Sequence, residues 1–407
     1  MSLNTTPSAE RTHIGIFGRR NAGKSSMINA LTGQHTAIVS DVKGTTTDPV
    51  LKAMELLPLG PVVMIDTPGL DDTGELGNLR VQKAYQILNK TDIALLVIDV
   101  ATGLTDSDTA ILKRIQEKNI PYLIVWNKAD LLNKKTSETD TFPNMLNACH
   151  FPEDHSILVS ASTGQNIHEL KEKLASFAPT DDIEKRIVSD LLSPGDFIVL
   201  VVPIDKAAPK GRLILPQQQT IRDILDSGAS AIVTRDTELS GTLIRLGEKP
   251  SLIITDSQVF NKVDQMVSPD IPLTSFSILF ARYKGNLKTV VSGARALNTL
   301  ADNDTILICE GCTHHRQCED IGTVKLPRWI QEYTGKSLNF EFTSGTEFPL
   351  ELSKYRLIIH CGGCTLNERE MKYRLKCAED AKIPITNYGT AIAYMNGILE
   401  RSIQIFK

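Results

Sequence analysis

Cys361-Gly362-Gly363-Cys364 closes an apolar run, IIHCGGC, and offers two thiols at a spacing that lets both reach one metal. A second run, ILICEGCTHHRQCED at 306–320, ends the same way and carries Cys309, Cys312, Cys318, His314 and His315. Loops that leave neighbouring parallel strands at their C-terminal ends meet at the edge where open α/β sheets bind ligands. The donors Cys312, Cys361, Cys364, His314 and His360 suit several chemistries. Zinc takes two thiolates with two imidazoles, or three with one. An iron–sulfur cluster takes three thiolates and leaves one iron for a weaker ligand. A dithiol redox pair at Cys361 and Cys364 is the third reading, and it leaves the other donors unexplained. Cys309, at bite spacing from Cys312, is a substitute ligand. Cys149 and Cys377 read as small apolar fillers. Six of the seven cysteines lie after residue 300 and their number is odd, which favours a local metal or redox site over a disulfide framework.

The other end of the chain is built for phosphate. GRRNAGKS, Gly18 to Ser25, follows the strand-like HIGIF and precedes a helical pattern beginning SSMINALTG. Gly18 and Gly23 permit backbone angles that turn successive N–H groups inward at a helix N-terminus, where anions are favoured. Lys24 reaches the β- and γ-phosphates, Ser25 ligates magnesium, and Ser26 carries the loop into the helix. VVMIDTPG places Asp66 to hold magnesium through water and Gly69 to donate its N–H to a γ-phosphate. Thr46, in GTTTD, is the magnesium ligand expected to order when that phosphate is present. YLIVWNKAD supplies Asn127, Lys128 and Asp130. The Asp130 carboxylate can accept both the ring N–H and the exocyclic amine of guanine, donors that adenine lacks there. Ser160 and Ala161, in ILVSAST, bring backbone groups to the guanine carbonyl.

Strands alternating with amphipathic stretches must position these groups. HIGIF, VVMID, IALLVIDV and YLIVWN are continuous apolar runs, as buried parallel strands are. The expected class is α/β, with a mostly parallel sheet in the first part. Breaks near 178–196 and 262–275 give three domains: 1–177, 186–264 and 268–407. FIVLVVPI at 197–204 is either an edge strand open to sheet pairing or a central buried one. The 407 residues carry a net charge of −4, and basic residues are dispersed, so composition supports neither nucleic-acid nor membrane binding. A short polar N-terminus and the lack of any run long enough to span a bilayer make a cytoplasmic location the expectation.

The five nucleotide elements, in this order, resemble the GTPase family. Asn21 within GRRNAGKS, and Leu70 where Ras-like proteins carry a water-orienting glutamine, resemble the branch containing MnmE, Era and EngA. That likeness implies that Asn21 helps bind a potassium ion. Cys312-Thr313-His314, then 45 residues, then His360-Cys361-Gly362-Gly363-Cys364 resembles the signature of the HydF family, GTPase maturation factors of FeFe-hydrogenases. The resemblance covers the full length. It implies a P-loop GTPase domain, a small α/β dimerisation domain and an α/β cluster-binding domain. It implies GTP/GDP, Mg2+ and a four-iron four-sulfur cluster on Cys312, Cys361 and Cys364, with His314 or His360 as candidate fourth ligand. It implies a homodimer that receives a transient diiron precursor from the radical-SAM maturases HydE and HydG and delivers it to apo FeFe-hydrogenase. An Era- or MnmE-like RNA-associated GTPase with a structural zinc site is the competing expectation.

Overall fold

A computed structural model describes residues 10–33, 50–69, 84–132 without 86, 153–177, 186–204, 213–311, and 320–406 without 346, 350 and 365. Thr46, Leu70, Cys149, Cys312, His314, His315 and Cys318 lie outside the described residues. The chain divides into two compact units, Met1–Thr180 and Asp181–Lys407.

The first unit holds a six-stranded sheet, ordered β2-β3-β1-β4-β5-β6. Its strands are β1 (Thr12–Phe17), β2 (Val50–Leu56), β3 (Gly60–Asp66), β4 (Ile93–Asp99), β5 (Tyr122–Asn127) and β6 (Ser156–Leu158). Only β2 runs antiparallel to its neighbour; the other pairings are parallel. The strands are apolar throughout because both faces are covered. Ala94, Leu96 and Ile98 of β4 enter one core with Ile111, Leu112 and Ile115 of the helix Asp106–Glu117. Ile93, Leu95 and Val97 enter the other, with Met27, Ile28 and Leu31 of Lys24–Thr32 and Leu170 and Leu174 of Ile167–Ser176. A two-residue period on the strand divides its side chains between two hydrophobic layers.

The second unit contains two parallel four-stranded sheets. One, ordered β10-β9-β7-β8, uses β7 (Phe197–Val201), β8 (Ser230–Thr234), β9 (Leu252–Thr255) and β10 (Leu273–Ser275). The other, ordered β12-β11-β13-β14, uses β11 (Thr305–Cys309), β12 (Asn339–Thr343), β13 (Leu357–His360) and β14 (Ile385–Asn387). FIVLVVPI supplies β7, which lies between β8 and β9 and is buried, so it is not an edge. The boundary expected at 264–268 falls inside the first sheet's own chain, because β10 pairs with β9 at 273–275. C-terminal segments close the first sheet's core: Val199, Val201 and Leu273 pack in one cluster with Val291 and Ala294 of the helix Leu287–Arg295 and with Ile398 and Leu399. Arg401 ties the chain's last helix back, pairing with Asp264 at 2.7 Å and donating to the carbonyls of Ser268 and Ile271. Such returns across more than 100 residues leave no mark in local composition.

Candidate nucleotide site and cysteine loop

The phosphate loop leaves β1 and enters the helix Lys24–Thr32 through Gly23, whose φ is +94°. A Cβ there would sit 2.2 Å from Asn127 Nδ2, so only glycine fits. Lys24 is buried, and its ammonium crosses the loop to donate to the carbonyls of Gly18 at 2.9 Å and Arg19 at 2.8 Å. Ser25 Oγ donates to Asp66 Oδ2 at 2.8 Å, while Asp66 Oδ1 is buried with no partner. Burial raises the Asp66 pKa against the opposing pulls of Ser25 and Lys24. An orphaned carboxylate oxygen beside a serine hydroxyl is a donor set that fits a hard divalent cation. Gly69 lies three residues beyond Asp66, past the end of β3. Ser26 and Asn21 are exposed, and Asn21 holds a φ of +61°. Arg19 turns away, donating to Thr102 Oγ1 at 2.8 Å and lying 3.3 Å from the buried Asp108 carboxylate.

The residues expected to read the base also brace one another. Asn127 is buried and both ends of its amide are engaged: Nδ2 donates to Ala22 O at 3.0 Å, and Oδ1 accepts from Ala161 N–H at 3.0 Å. It joins the phosphate loop, the end of β5 and the loop after β6. Ser160 N–H donates to Gln165 O, so neither amide expected to meet the guanine carbonyl is presented as a spare donor. Ser160 acts through its hydroxyl, which donates to Asp130 Oδ1 at 2.5 Å. That bond is the largest influence lowering the Asp130 pKa, and the carboxylate itself is exposed. Lys128 adopts a φ of +68° and pairs with Asp99 at 2.6 Å, a partner that sequence reasoning missed although it ends β4. A bulky residue in the left-handed region marks a turn that aims Asn127 inward and Asp130 outward.

At the second sheet's edge, Cys309 of β11 stands in register with His360 of β13. The two loops therefore start side by side, and Gly311 N–H donates to Cys361 Sγ at 2.9 Å. Cys312 is the next residue in the chain. Gly363 N–H also points to Cys361 Sγ, at 3.4 Å. Cys361 and Cys364 are both partly exposed, whereas Cys309 is fully buried and burial pushes its thiol up to about 11. Cys309 is thus a core residue, not the substitute ligand considered from its spacing. Among the described residues no group of three or more His, Cys, Asp or Glu side chains is placed to hold a metal ion. The donors that are described nonetheless suit an iron–sulfur cluster: two partly exposed thiols, with backbone amides aimed at sulfur.

His360, a candidate fourth ligand by sequence, is 2% exposed with both ring nitrogens engaged. Arg374 Nη1 lies 2.8 Å from Nε2, and guanidinium can only donate, so Nε2 accepts. Nδ1 then carries the proton and donates to Cys361 O at 2.6 Å. Burial and the Arg374 charge depress the His360 pKa to about 3. The imidazole is a neutral brace between Arg374 and the Cys361 backbone, with no lone pair left for a metal. Arg374, fully buried, also donates to Glu370 at 2.9 Å and Gly345 O at 2.9 Å. Neither Glu370 nor Arg374 is prominent in the sequence. Gly363, at φ +61°, is the loop's pivot: a Cβ there would lie 2.6 Å from Met371 Sδ. Gly363→Ala should lower unfolding stability by about 1–3 kcal/mol, from left-handed strain and crowding, as read by chemical denaturation.

Residues 187–285 match the hydrogen maturase F dimerization domain, and residues 288–405 match the hydrogen maturase F tetramerization domain, together more than half of the chain. The chain belongs to the hydrogen maturase F family. Residues 13–128 match the 50S ribosome-binding GTPase family, placing a P-loop GTPase fold ahead of the two maturase F domains. The boundary between those domains falls after the helix Phe276–Lys284. Relatives include the GTPase Der of Microcystis aeruginosa, 34% identical over 46% of this chain and 43% of that protein. The tRNA modification GTPase MnmE of Moorella thermoacetica is 36% identical over 40% of this chain and 34% of that protein. The chain spans less than half the length of these relatives. Among solved structures, Era of Aquifex aeolicus bound to GDP and tetrafluoroaluminate matches at 22% identity and a TM-score of 0.37, covering 57% of this chain and 97% of that one. No described helix is long and apolar enough to cross a membrane.

Proposed function

We propose that this maturase F chain is a GTP-hydrolysing scaffold that carries a four-iron four-sulfur cluster and serves the assembly and delivery of the diiron subcluster of FeFe-hydrogenase. The observation that carries the reading is Gly311 N–H donating to Cys361 Sγ at 2.9 Å, because it brings the two cysteine-bearing loops to one point of the sheet edge. Cys312, Cys361 and Cys364 would hold the cluster, whose contribution is an iron site open to exchangeable ligands. With His360 committed to Arg374, His314 is the histidine that remains for the fourth position.

In the first unit, Lys24 and the loop amides would neutralise charge on the β- and γ-phosphates, and Gly69 would donate to the γ-phosphate. Ser25, Thr46 and Asp66 would hold magnesium, which supplies charge stabilisation when bound, and Asn21 would contribute to a potassium site. Asp130 reads guanine, while Asn127, Ser160 and Ala161 hold the reader in place. The scaffold works as a cytoplasmic homodimer, receiving the diiron precursor as cargo from HydE and HydG and passing it to apo-hydrogenase, with no part for nucleic acid or membrane.

Anaerobic purification with iron and acid-labile sulfide analysis tests this. The wild type should bind about four of each per chain, and Cys361→Ala should bind markedly less. An iron-free, zinc-replete, colourless wild type would sink the reading and favour an RNA-associated GTPase with a structural zinc.

A further inference from the structure

The helix Phe276–Lys284 ends on a lysine that no nucleotide or cysteine motif accounts for. Lys284 is 4% exposed, and its ammonium lies within 3.0 Å of Leu366 O, 3.3 Å of Gly363 O and 3.4 Å of Cys364 O. The face of Phe280 lies 5.8 Å from the same nitrogen. Burying an ammonium is expensive unless its donors are satisfied, and three N–H groups here meet three carbonyls of a single loop. That loop contains Cys364 and the pivot Gly363, and its other end is braced by His360 at Cys361 O. The cysteine loop is therefore held at both ends by buried cationic or cation-linked side chains. Arg374 pairs with the buried Glu370 at 2.9 Å, and three of Lys284's contacts are carbonyls around Cys364.

We propose that Lys284 is a positioning residue for the cluster: it fixes the Gly363–Leu366 turn in its ligating shape and sets a positive charge behind the thiolate pair. Thiolates and a reduced cluster concentrate negative charge at the sheet edge, and a fixed cation nearby favours both metal retention and the reduced state. Lys284 also belongs to the segment matched by the dimerization domain, while the turn it holds belongs to the tetramerization domain. The contact thus ties one maturase F domain to the functional loop of the other.

The inference rests on the cluster reading above, and the test separates the two. Full-length wild type, Lys284→Gln and Lys284→Arg are reconstituted anaerobically with iron and sulfide. Iron retention against a chelator, the midpoint potential of the bound cluster, and thermal unfolding of the iron-free chains are then measured. Lys284→Gln keeps donors but loses the charge. It should retain iron about 10-fold less well and show a more negative midpoint potential. Lys284→Arg should restore the potential to near the wild-type value. Unchanged retention and potential in Lys284→Gln would overturn the role. Lower retention with an unchanged potential, tracking lower stability of the iron-free chain, would also overturn it by reducing Lys284 to a structural residue. A wild type that takes up no cluster overturns the cluster reading itself, and this inference with it.

Discussion

Asp130→Asn should lower GTP affinity by about 10²- to 10⁴-fold and improve affinity for xanthosine triphosphate. Asp130 is held ionised and oriented by Ser160 at 2.5 Å and Ser162 at 3.3 Å. Its oxygens face open solvent, where guanine's ring N–H and exocyclic amine would donate. Each hydrogen bond to a charged group contributes about 1.5–3 kcal/mol, and losing two spans the stated range. An asparagine amide would oppose guanine's amine donor with a donor of its own. Xanthine carries a carbonyl at that position and would accept it. Calorimetric titration with both nucleotides checks the reversal; equal loss for GTP and the xanthine nucleotide would show that Asp130 does not read the base. Asn127→Ala should act differently, loosening all three loops and weakening both nucleotides together, because its amide ties Ala22 to Ala161.

Arg374→Met is expected to destabilise the second unit by about 3–5 kcal/mol, since it leaves the Glu370 carboxylate buried without its partner. It also strips donors from His360 Nε2 and Gly345 O. The double variant Glu370→Gln/Arg374→Met should lose less than the single one, because no uncompensated charge remains. The chain has two tryptophans, and only Trp329 lies in the second unit. Its fluorescence in a Trp126→Phe background therefore follows denaturation of that unit alone. A double variant no more stable than Arg374→Met would mean that the ion pair is not what holds the helix Glu368–Asp380 in place.

That helix shows where sequence reading stops. It carries three ion pairs at i,i+4: Glu368–Lys372, Glu370–Arg374 and Lys376–Asp380. In sequence they are equivalent, and each reads as a solvated pair of small effect. In the structure the side chains of Lys372 and Lys376 are 59% and 67% exposed, while Arg374 is at 0%. The difference lies outside the helix. Phe348, Gly345 and the end of β13 pack over one face, and no local pattern announces them.

The sequence by itself determined the α/β class, the phosphate loop, the place of Asp130 just past a strand end and the pairing of two cysteine loops across 45 residues. These are legible because their chemistry is local: a glycine-rich turn, a strand end and a helix start define a phosphate cradle within about ten residues. Even the meeting of the cysteine loops follows from strand succession, since β11 and β13 are neighbours in one parallel sheet. Only the tertiary structure decided what the polar side chains around these motifs do. Asn127 became a tie between loops, His360 a brace with no free nitrogen, and Cys309 a core filler. Arg374 and Lys284 emerged as buried supports of the cysteine loop. The physical reason is common to all five. Whether a polar group faces water, ligand or protein depends on the partners that folding brings to it. Lys284 meets its carbonyls across about 80 residues, and Asn127 meets Ala22 across 105.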